Sequence, residues 1–466
     1  MQRRTKAFGV LSAALGVAAL FGGASSAHAQ TDGDCSQNRG VIFVHGGAGS
    51  AGQFESQAMR FNTNGFDLGC IREVEYNSTI IQMIGPQVAM QIDAAVADLQ
   101  ADGAPDITLV GHSLGTAISQ AYLASPARAA NITRYVNVDG GLAANGLPVD
   151  TLAIFAGAAR EARPMFPGAI TVTLDNQEHV EAVTSQAAFV EMFRFITGSE
   201  PVMAGAIGTD PGPFAVSGRT AIFPQNEPIA ANLNPTVLVF ELDPATAARR
   251  RTMMGMFAMP VASLPVDADG FFPPAQLMPG VPIEFSLMRD GLRAHRFFKP
   301  SGFLRSDDLV RLLTGRGDGS GLEALTDRDP ATVGMTIQRF REFRGDADMP
   351  PGPRVAMGTN DSLVVNTATQ SIELIRPNTA PSGFVGSPVA QIIQDGGSNG
   401  LAGAPLSGAA PFITIQDVFI PSSPTFIPLS FTMISRGDPA SEFSFRIPRI
   451  PSTSAAVSVL LDDFVQ

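Results

Sequence analysis

Charge is scarce in this chain. Only 16% of its 466 residues are Asp, Glu, Lys or Arg, which excludes long solvated acidic or basic tracts. Positive charge is scarcer still: 31 Lys and Arg face 43 Asp and Glu, for a net charge of -12. A chain of that sign repels phosphates and anionic lipid headgroups, so nucleic acid is excluded as a partner. Histidine and cysteine number five and two and are scattered, too few for a zinc site. Beyond residue 29, no stretch is apolar and long enough to cross a bilayer. What is plentiful is apolar and turn-forming. Hydrophobic residues make up 45%, with 47 glycines and 35 prolines. That supports real cores and much β structure with many turns, and the length fits two or three domains.

Residues 1–29 open with Arg3, Arg4 and Lys6, continue through the apolar run AFGVLSAALGVAALF, and end in Ala27-His28-Ala29. This basic, apolar, A-x-A order reads as a signal peptide for the general export route. The apolar core is short for a span of ~20 residues. The expected location is therefore outside the cytoplasm, extracellular or periplasmic, with no integral membrane segment after cleavage. Losing those three cations and no acid takes the net charge from -12 to -15. An exported chain meets an oxidising space, so Cys35 and Cys70 are expected to pair and tie the mature N-terminus to the body.

From 30 to 200, strands alternate with helices. GVIFVH (40–45), IREVEY (71–76), 107–110, 132–138, 152–155 and 170–174 read as strands. Val88, Ile92, Val96 and Leu99 mark one helix, which Gly103 stops. A second helix spans Ser113–Ala124. A third starts near Thr184 or Ser185, carries Phe189, Met192, Phe193 and Ile196 on one face, and stops at Gly198. This alternation predicts a mostly parallel sheet covered by helices on both faces. A Pro/Gly linker, SEPVMAGAIGTDPGP, follows. Residues 201–300 read as a β-sandwich module and 301–466 as a second β-rich module, with helical inserts expected at 304–315 and 336–344. The acidic run DADG at 267–270 reads as a turn.

The chemistry sits in the first region. Gly111-His112-Ser113-Leu114-Gly115 follows the strand ITLV and precedes a helix, which is the context a nucleophile elbow requires. The glycines remove side chains that would collide at so tight a turn. The helix N-terminus favours developing negative charge. Upstream, Val44-His45-Gly46-Gly47-Ala48-Gly49 ends the first strand. Its backbone can turn an N–H toward a carbonyl oxygen, and it lacks the Lys-Ser/Thr ending of a P-loop. Gly47 and Leu114 are the candidate oxyanion donors.

Serine needs a base. After cleavage four histidines remain: His45, His112, His179 and His295. His45 belongs to the Gly loop, where it reads as structural. His112 lies inside the elbow, pointing away from the hydroxyl. His295 falls in the β region. His179 follows the last strand, where the base is needed. For the acid that holds the imidazole, Asp139 ends the strand after the elbow helix, and Glu161 follows the next strand. Asp139 is favoured, and Glu161 stands as the alternative. Asp150 lies at the wrong edge, and Asp175, in LDNQEH, reads as a turn residue.

The elbow, the VHGG loop and the order Ser, acid, His resemble the α/β-hydrolase superfamily. The nearer likeness is to its secreted bacterial lipases and esterases with C-terminal β domains. The run NQEHVEAVTSQAAFVEMFRFITG is similar to their catalytic-histidine segment. The likeness is specific over 40–198. Over 201–466 it rests on the segments VSGRTAIFPQN and LRSDDLVRLLTG. It implies an α/β-hydrolase fold followed by one or two β-sandwich-like modules, with the acid after the strand that follows the elbow helix. That supports Asp139. It also implies two-step acyl transfer to water from an ester or lipid, needing neither metal nor organic cofactor. Residues 140–150 and 156–168 are expected to flank the cleft, and the β modules to bind substrate or a surface. Two other readings remain: a surface-binding protein with a degenerate hydrolase core, or the same triad acting on polyesters, lactones or amides.

Overall fold

The computed structural model describes residues 34–37, 39–141, 143–157, 165–175, 177–251, 258–319, 322, 330–339, 362–366, 371–373, 414–423, 425, 428–434 and 443–462. Residues 1–29 and Glu161 lie outside the described residues.

The N-terminal part is one sheet with its helices. In chain order it holds β1 Gly40–Val44, α1 Glu55–Thr63, β2 Ile71–Val74, α2 Ile81–Ala101, β3 Ile107–His112, α3 Leu114–Leu123, α4 Pro126–Ala129, β4 Arg134–Val138, β5 Asp150–Ala156, β6 Ile170–Leu174, α5 Glu181–Thr184 and α6 Gln186–Thr197. The strands lie in the order β2-β1-β3-β4-β5-β6, all parallel. Both faces of the sheet are covered. Phe43, Val110 and Val136 pack with Phe54, Phe61 and Phe189 on one face. Ile42, Leu109 and Tyr135 pack with Val88, Ile92 and Leu99 on the other. Neighbouring strand residues thus enter opposite cores, which is why VIFV and ITLV are unbroken apolar runs rather than alternating ones. Helix α6 starts at Ser185, whose side chain accepts from the Ala188 N–H, and ends at Gly198 with φ 75. Cys35 and Cys70 form a disulfide that ties the segment before β1 to the start of β2.

The rest is mixed β structure. Its strands are β7 Phe214–Ile222, β8 Thr236–Glu241, β9 Ala262–Pro265, β10 Phe271–Leu277, β11 Ile283–Met288, β12 Ala294–Lys299, β13 Asp307–Thr314, β14 Thr332–Gln338, β15 Ser362–Asn366, β16 Ser371–Glu373, β17 Ile415–Pro421, β18 Pro428–Ile434, β19 Phe443–Pro448 and β20 Ala455–Leu460. They form three sheets: β10-β7-β13, the seven-stranded β17-β14-β20-β12-β11-β8-β9, and β16-β15-β18-β19. Val216, Leu312, Val239 and Phe285 share a core between the first two sheets. Phe298, Met335 and Val457 share another with Phe431 and Phe445 of the third. The seven-stranded sheet draws strands from both sides of residue 300, because β20 returns to lie parallel between β12 and β14.

Two expectations are corrected. Residues 307–314 are strand β13, not a helical insert, and 332–338 are strand β14, while 340–344 lie outside the described residues. In DLVRLLT the polar Arg311 is buried along with its apolar neighbours, so the run shows no period-two alternation to mark it as a strand. Among the described residues no helix is long and apolar enough to cross a membrane.

Candidate active site

The turn from β3 into α3 passes through Ser113, whose φ of 50 and ψ of -118 are strained for a residue with a side chain. The strain persists because the neighbours leave no alternative. A Cβ on Gly115 would lie 2.1 Å from the Val44 carbonyl oxygen, so helix α3 begins hard against the end of β1. A Cβ on Gly111 would lie 2.8 Å from the Gly115 oxygen. The Ser113 N–H donates to the Val138 carbonyl at 3.1 Å.

Asp139 directly follows β4, at φ 46. Its N–H donates to the Ile154 carbonyl at 2.7 Å, and its Oδ1 accepts from the Ala156 N–H at 2.9 Å. Its Oδ2 lies 2.6 Å from Nδ1 of His179, on the loop between β6 and α5. The carboxylate is buried, at 3% exposure, and the imidazole is 19% exposed. A carboxylate oxygen accepts, so Nδ1–H of His179 is the donor in this contact and Nε2 is the ring nitrogen left for a second partner. Asp139 and His179 therefore meet, 40 residues apart in the chain. Asp150 opens β5 at the opposite sheet edge.

His112 is fully enclosed. Its Nε2 lies 3.1 Å from the His179 carbonyl oxygen and its Nδ1 3.1 Å from Gln53 Oε1. Its ring is 4.6 Å from that of His179. Burial, and then His179, push its pKa well below the usual histidine value, so it is neutral. A neutral ring donates to only one of those two oxygens. His295 is also buried, between Thr314 Oγ1 at 2.9 Å and Ser458 Oγ at 2.8 Å, far along the chain from the elbow.

The loop after β1 is pinned through most of its amides. Gly46 N–H donates to Gln53 Oε1 at 3.0 Å, Ala48 N–H to Ser78 Oγ at 2.7 Å, and Gly49 N–H to the Gly46 carbonyl at 3.3 Å. Among the described residues the Gly47 N–H meets no acceptor. A Cβ on Gly47 would touch nothing within 4 Å, so this position faces open space.

Gly47, Ser113, Leu114 and His179 line one cavity of about 190 Å³. Ser50, Gln53, Glu55 and Val180 of the N-terminal part also line it, and its other walls come from the β region: Phe223, Lys299, Val310, Arg311, Leu313 and Ile415 among them. None of the described residues in 140–150 and 156–168, the segments expected to flank the cleft, lines it, and Leu142 and 158–164 lie outside the described residues. The sequence reading missed these walls, along with Gln53 and Ser78. Segments VSGRTAIFPQN and LRSDDLVRLLTG carried a signal: each puts arginine inside an otherwise apolar strand, which calls for a buried partner. Among the described residues no group of three His, Cys, Asp or Glu converges as metal ligands.

Residues 212–317 match the family model of the Lipase C-terminal domain. A six-stranded parallel sheet covered by helices thus precedes the segment that matches the Lipase C-terminal domain. Residues 321–465 match a second C-terminal domain model. Between them these two models span the β region that follows the parallel sheet, and the segment matching the Lipase C-terminal domain contributes Phe223, Lys299 of β12 and strand β13 to the cavity wall. No curated protein sequence matches the chain. Among solved structures, an extracellular α/β-hydrolase from a Paenibacillus species is 21% identical over 23% of this chain and 43% of its own, with a TM-score of 0.18. A YdeN-like hydrolase from Pectobacterium atrosepticum is 14% identical over 36% of this chain and 96% of its own, TM-score 0.27. Phospholipase PlaB from Legionella pneumophila is 10% identical over 91% and 94%, TM-score 0.22. Scores this low say nothing about substrate.

Proposed function

We propose that the protein is a secreted serine hydrolase that cleaves carboxylic esters, a lipase or esterase, through an acyl-enzyme formed by a catalytic unit within residues 30–200. Ser113 is the nucleophile, His179 the general base and acid, and Asp139 the carboxylate that holds the imidazole. Gly47 and Leu114 supply the oxyanion N–H groups. The observation that carries this reading is the 2.6 Å contact between Asp139 Oδ2 and His179 Nδ1, beside a strained serine that lines the same cavity as His179.

The chemistry follows from proton positions. With Nδ1–H committed to Asp139, Nε2 takes the Ser113 proton as Oγ attacks the ester carbonyl. Asp139 stabilises the imidazolium that forms. The tetrahedral oxyanion is met by the Gly47 N–H, which faces the open side of the loop, and by Leu114, the first residue of α3, where the helix dipole adds to the effect. His179 then protonates the leaving alcohol, and water reverses the sequence to release the acid. Asp139 is preferred to Glu161 as the acid because its Oδ2 lies 2.6 Å from His179 Nδ1. The apolar cavity walls Phe223, Val310 and Leu313 suit an acyl chain. The Cys35–Cys70 disulfide supports export to an oxidising compartment, extracellular or periplasmic.

Turnover of p-nitrophenyl esters of increasing chain length tests the assignment. Wild type should hydrolyse them, and Ser113→Ala should lose at least about 10³-fold in kcat. Full activity in Ser113→Ala removes the nucleophile from this reading. A panel of polyesters, lactones and anilides run beside the esters reports which acyl bond is preferred.

A further inference from the structure

Three groups from the β region reach the buried side of the oxyanion loop: Arg219 of β7, Asn226 of the loop after it, and Arg311 of β13. The mechanism above uses none of them. We propose that Asn226 is a positioning residue that fixes the tautomer of His45 and, through it, the direction of the Gly47 N–H. This rests on the reading of Gly47 as an oxyanion donor.

The Gly46 carbonyl and the Gly47 N–H belong to one planar unit, so holding the oxygen aims the N–H. The oxygen is held by His45 Nδ1 at 2.8 Å. That bond exists only if Nδ1 carries the proton, because a carbonyl cannot donate. His45 is fully buried and stacked on Tyr76 at 4.0 Å, and burial lowers its pKa, so it has one proton to place.

Two donors face His45 Nε2 and so place that proton on Nδ1: the Tyr76 backbone N–H at 3.4 Å and, closer, Asn226. Arg219 donates to Asn226 Oδ1 at 2.7 Å, and a guanidinium is only a donor, so the amide orientation is set. Asn226 Nδ2 then faces His45 Nε2 at 3.2 Å and donates to it. The same NH2 group donates to Glu75 Oε2. A hydrogen bond received at Nε2 leaves Nδ1 as the donor. The alternative is real: Glu75 Oε2 lies 3.8 Å from His45 Nε2 and would draw the proton there if nothing stood between them. Glu75 is itself anchored by Arg311 Nε at 2.6 Å, and it accepts the Ala51 N–H at 3.2 Å. The segment matching the Lipase C-terminal domain thereby reaches His45 itself through an amide 181 residues away in the chain.

The test uses the full chain with 15N-labelled histidine. Five histidines keep the spectrum tractable, and the His45 signals are assigned by their loss in His45→Asn. The wild-type protein should show His45 as the Nδ1–H tautomer. Asn226→Gly keeps the positive-φ turn, where Asn226 has φ 56, and removes the donor. It should move His45 toward the Nε2–H form. It should also lower kcat on p-nitrophenyl acetate about 10- to 100-fold, with KM within about twofold; loss of a whole oxyanion donor costs about 10²- to 10³-fold. A wild-type His45 in the Nε2–H form overturns the proposal without any variant. So does Asn226→Gly with an unchanged tautomer, whatever its activity, or with a shifted tautomer and unchanged kcat. Absence of ester turnover and of fluorophosphonate labelling in wild type would instead count against the hydrolase reading, and the tautomer measurement separates the two failures.

Discussion

Asp139 shows how much one residue can be asked to hold. Its backbone N–H joins β5, one carboxylate oxygen takes the Ala156 N–H, and the other faces His179. Asp139→Asn preserves the shape but offers an amide where Nδ1–H needs an acceptor. On the proposed mechanism kcat should fall about 10⁴-fold with the melting temperature nearly unchanged, measured by ester turnover and thermal denaturation. Glu161→Gln should leave kcat within about twofold. If Glu161→Gln is the inactive variant, the acid assignment is wrong. At this scale the sequence was readable where chemistry is local. The strand, glycines and helix around Ser113 are consecutive, and His179 follows directly on a strand. Asn226, Gln53 and Ser78 were not readable, because each acts on a partner set by folding rather than by spacing. Nothing in FPQN announces a histidine 181 positions earlier.

At the scale of elements, the parallel sheet was legible from runs that are apolar on both faces. Helix α1 was not. Its sequence ESQAMRFNT has buried Glu55, Ser56, Gln57 and Arg60, so its inward face looks like a solvent face. Those polar groups are buried because they find partners in other elements: Gln57 donates to the Val183 carbonyl at 2.7 Å and Arg60 to the Thr184 carbonyl at 2.6 Å. Strand β13 hid for the same reason, through Arg311. The disulfide belongs to this scale too. It closes a loop of 35 residues between the segment before β1 and the start of β2. The Cys35→Ser, Cys70→Ser double variant should lose about 3–4 kcal/mol of stability in denaturant melts. An unchanged midpoint would mean the crosslink adds nothing to the folded state.

At the scale of the molecule, the β region is built into the N-terminal α/β unit rather than appended to it. Arg311 meets Glu75 at 2.6 Å and Glu73 at 3.4 Å, and Lys299 meets Glu55 at 3.4 Å and Asp462 at 3.0 Å. Removing one side of such buried pairs leaves uncompensated charge, which is strongly destabilising. The contact has a pH signature. Burial pushes the Glu75 carboxyl up, but Arg311 and Arg219 outweigh it and hold it at about 2, below its ordinary 4.5. A depressed folded-state pKa stabilises the protein above the ordinary value, and that stabilisation is lost as pH falls through the folded one. Between pH 5 and pH 2 the wild type should therefore lose about 3 kcal/mol more stability than Glu75→Gln, measured by denaturant titration. Parallel curves would mean the pair is not formed in solution. Little of this interface was legible in the sequence, since a buried arginine and a surface arginine are spelled alike.

The proposed function requires Ser113 to be an activated nucleophile in a built active site. Incubating the full chain with a fluorophosphonate and locating the adduct by peptide mass spectrometry tests it most directly. The account predicts stoichiometric labelling on Ser113, greatly slowed in Asp139→Asn and absent in Ser113→Ala. An unlabelled wild-type protein, or a label on a different serine, would contradict it.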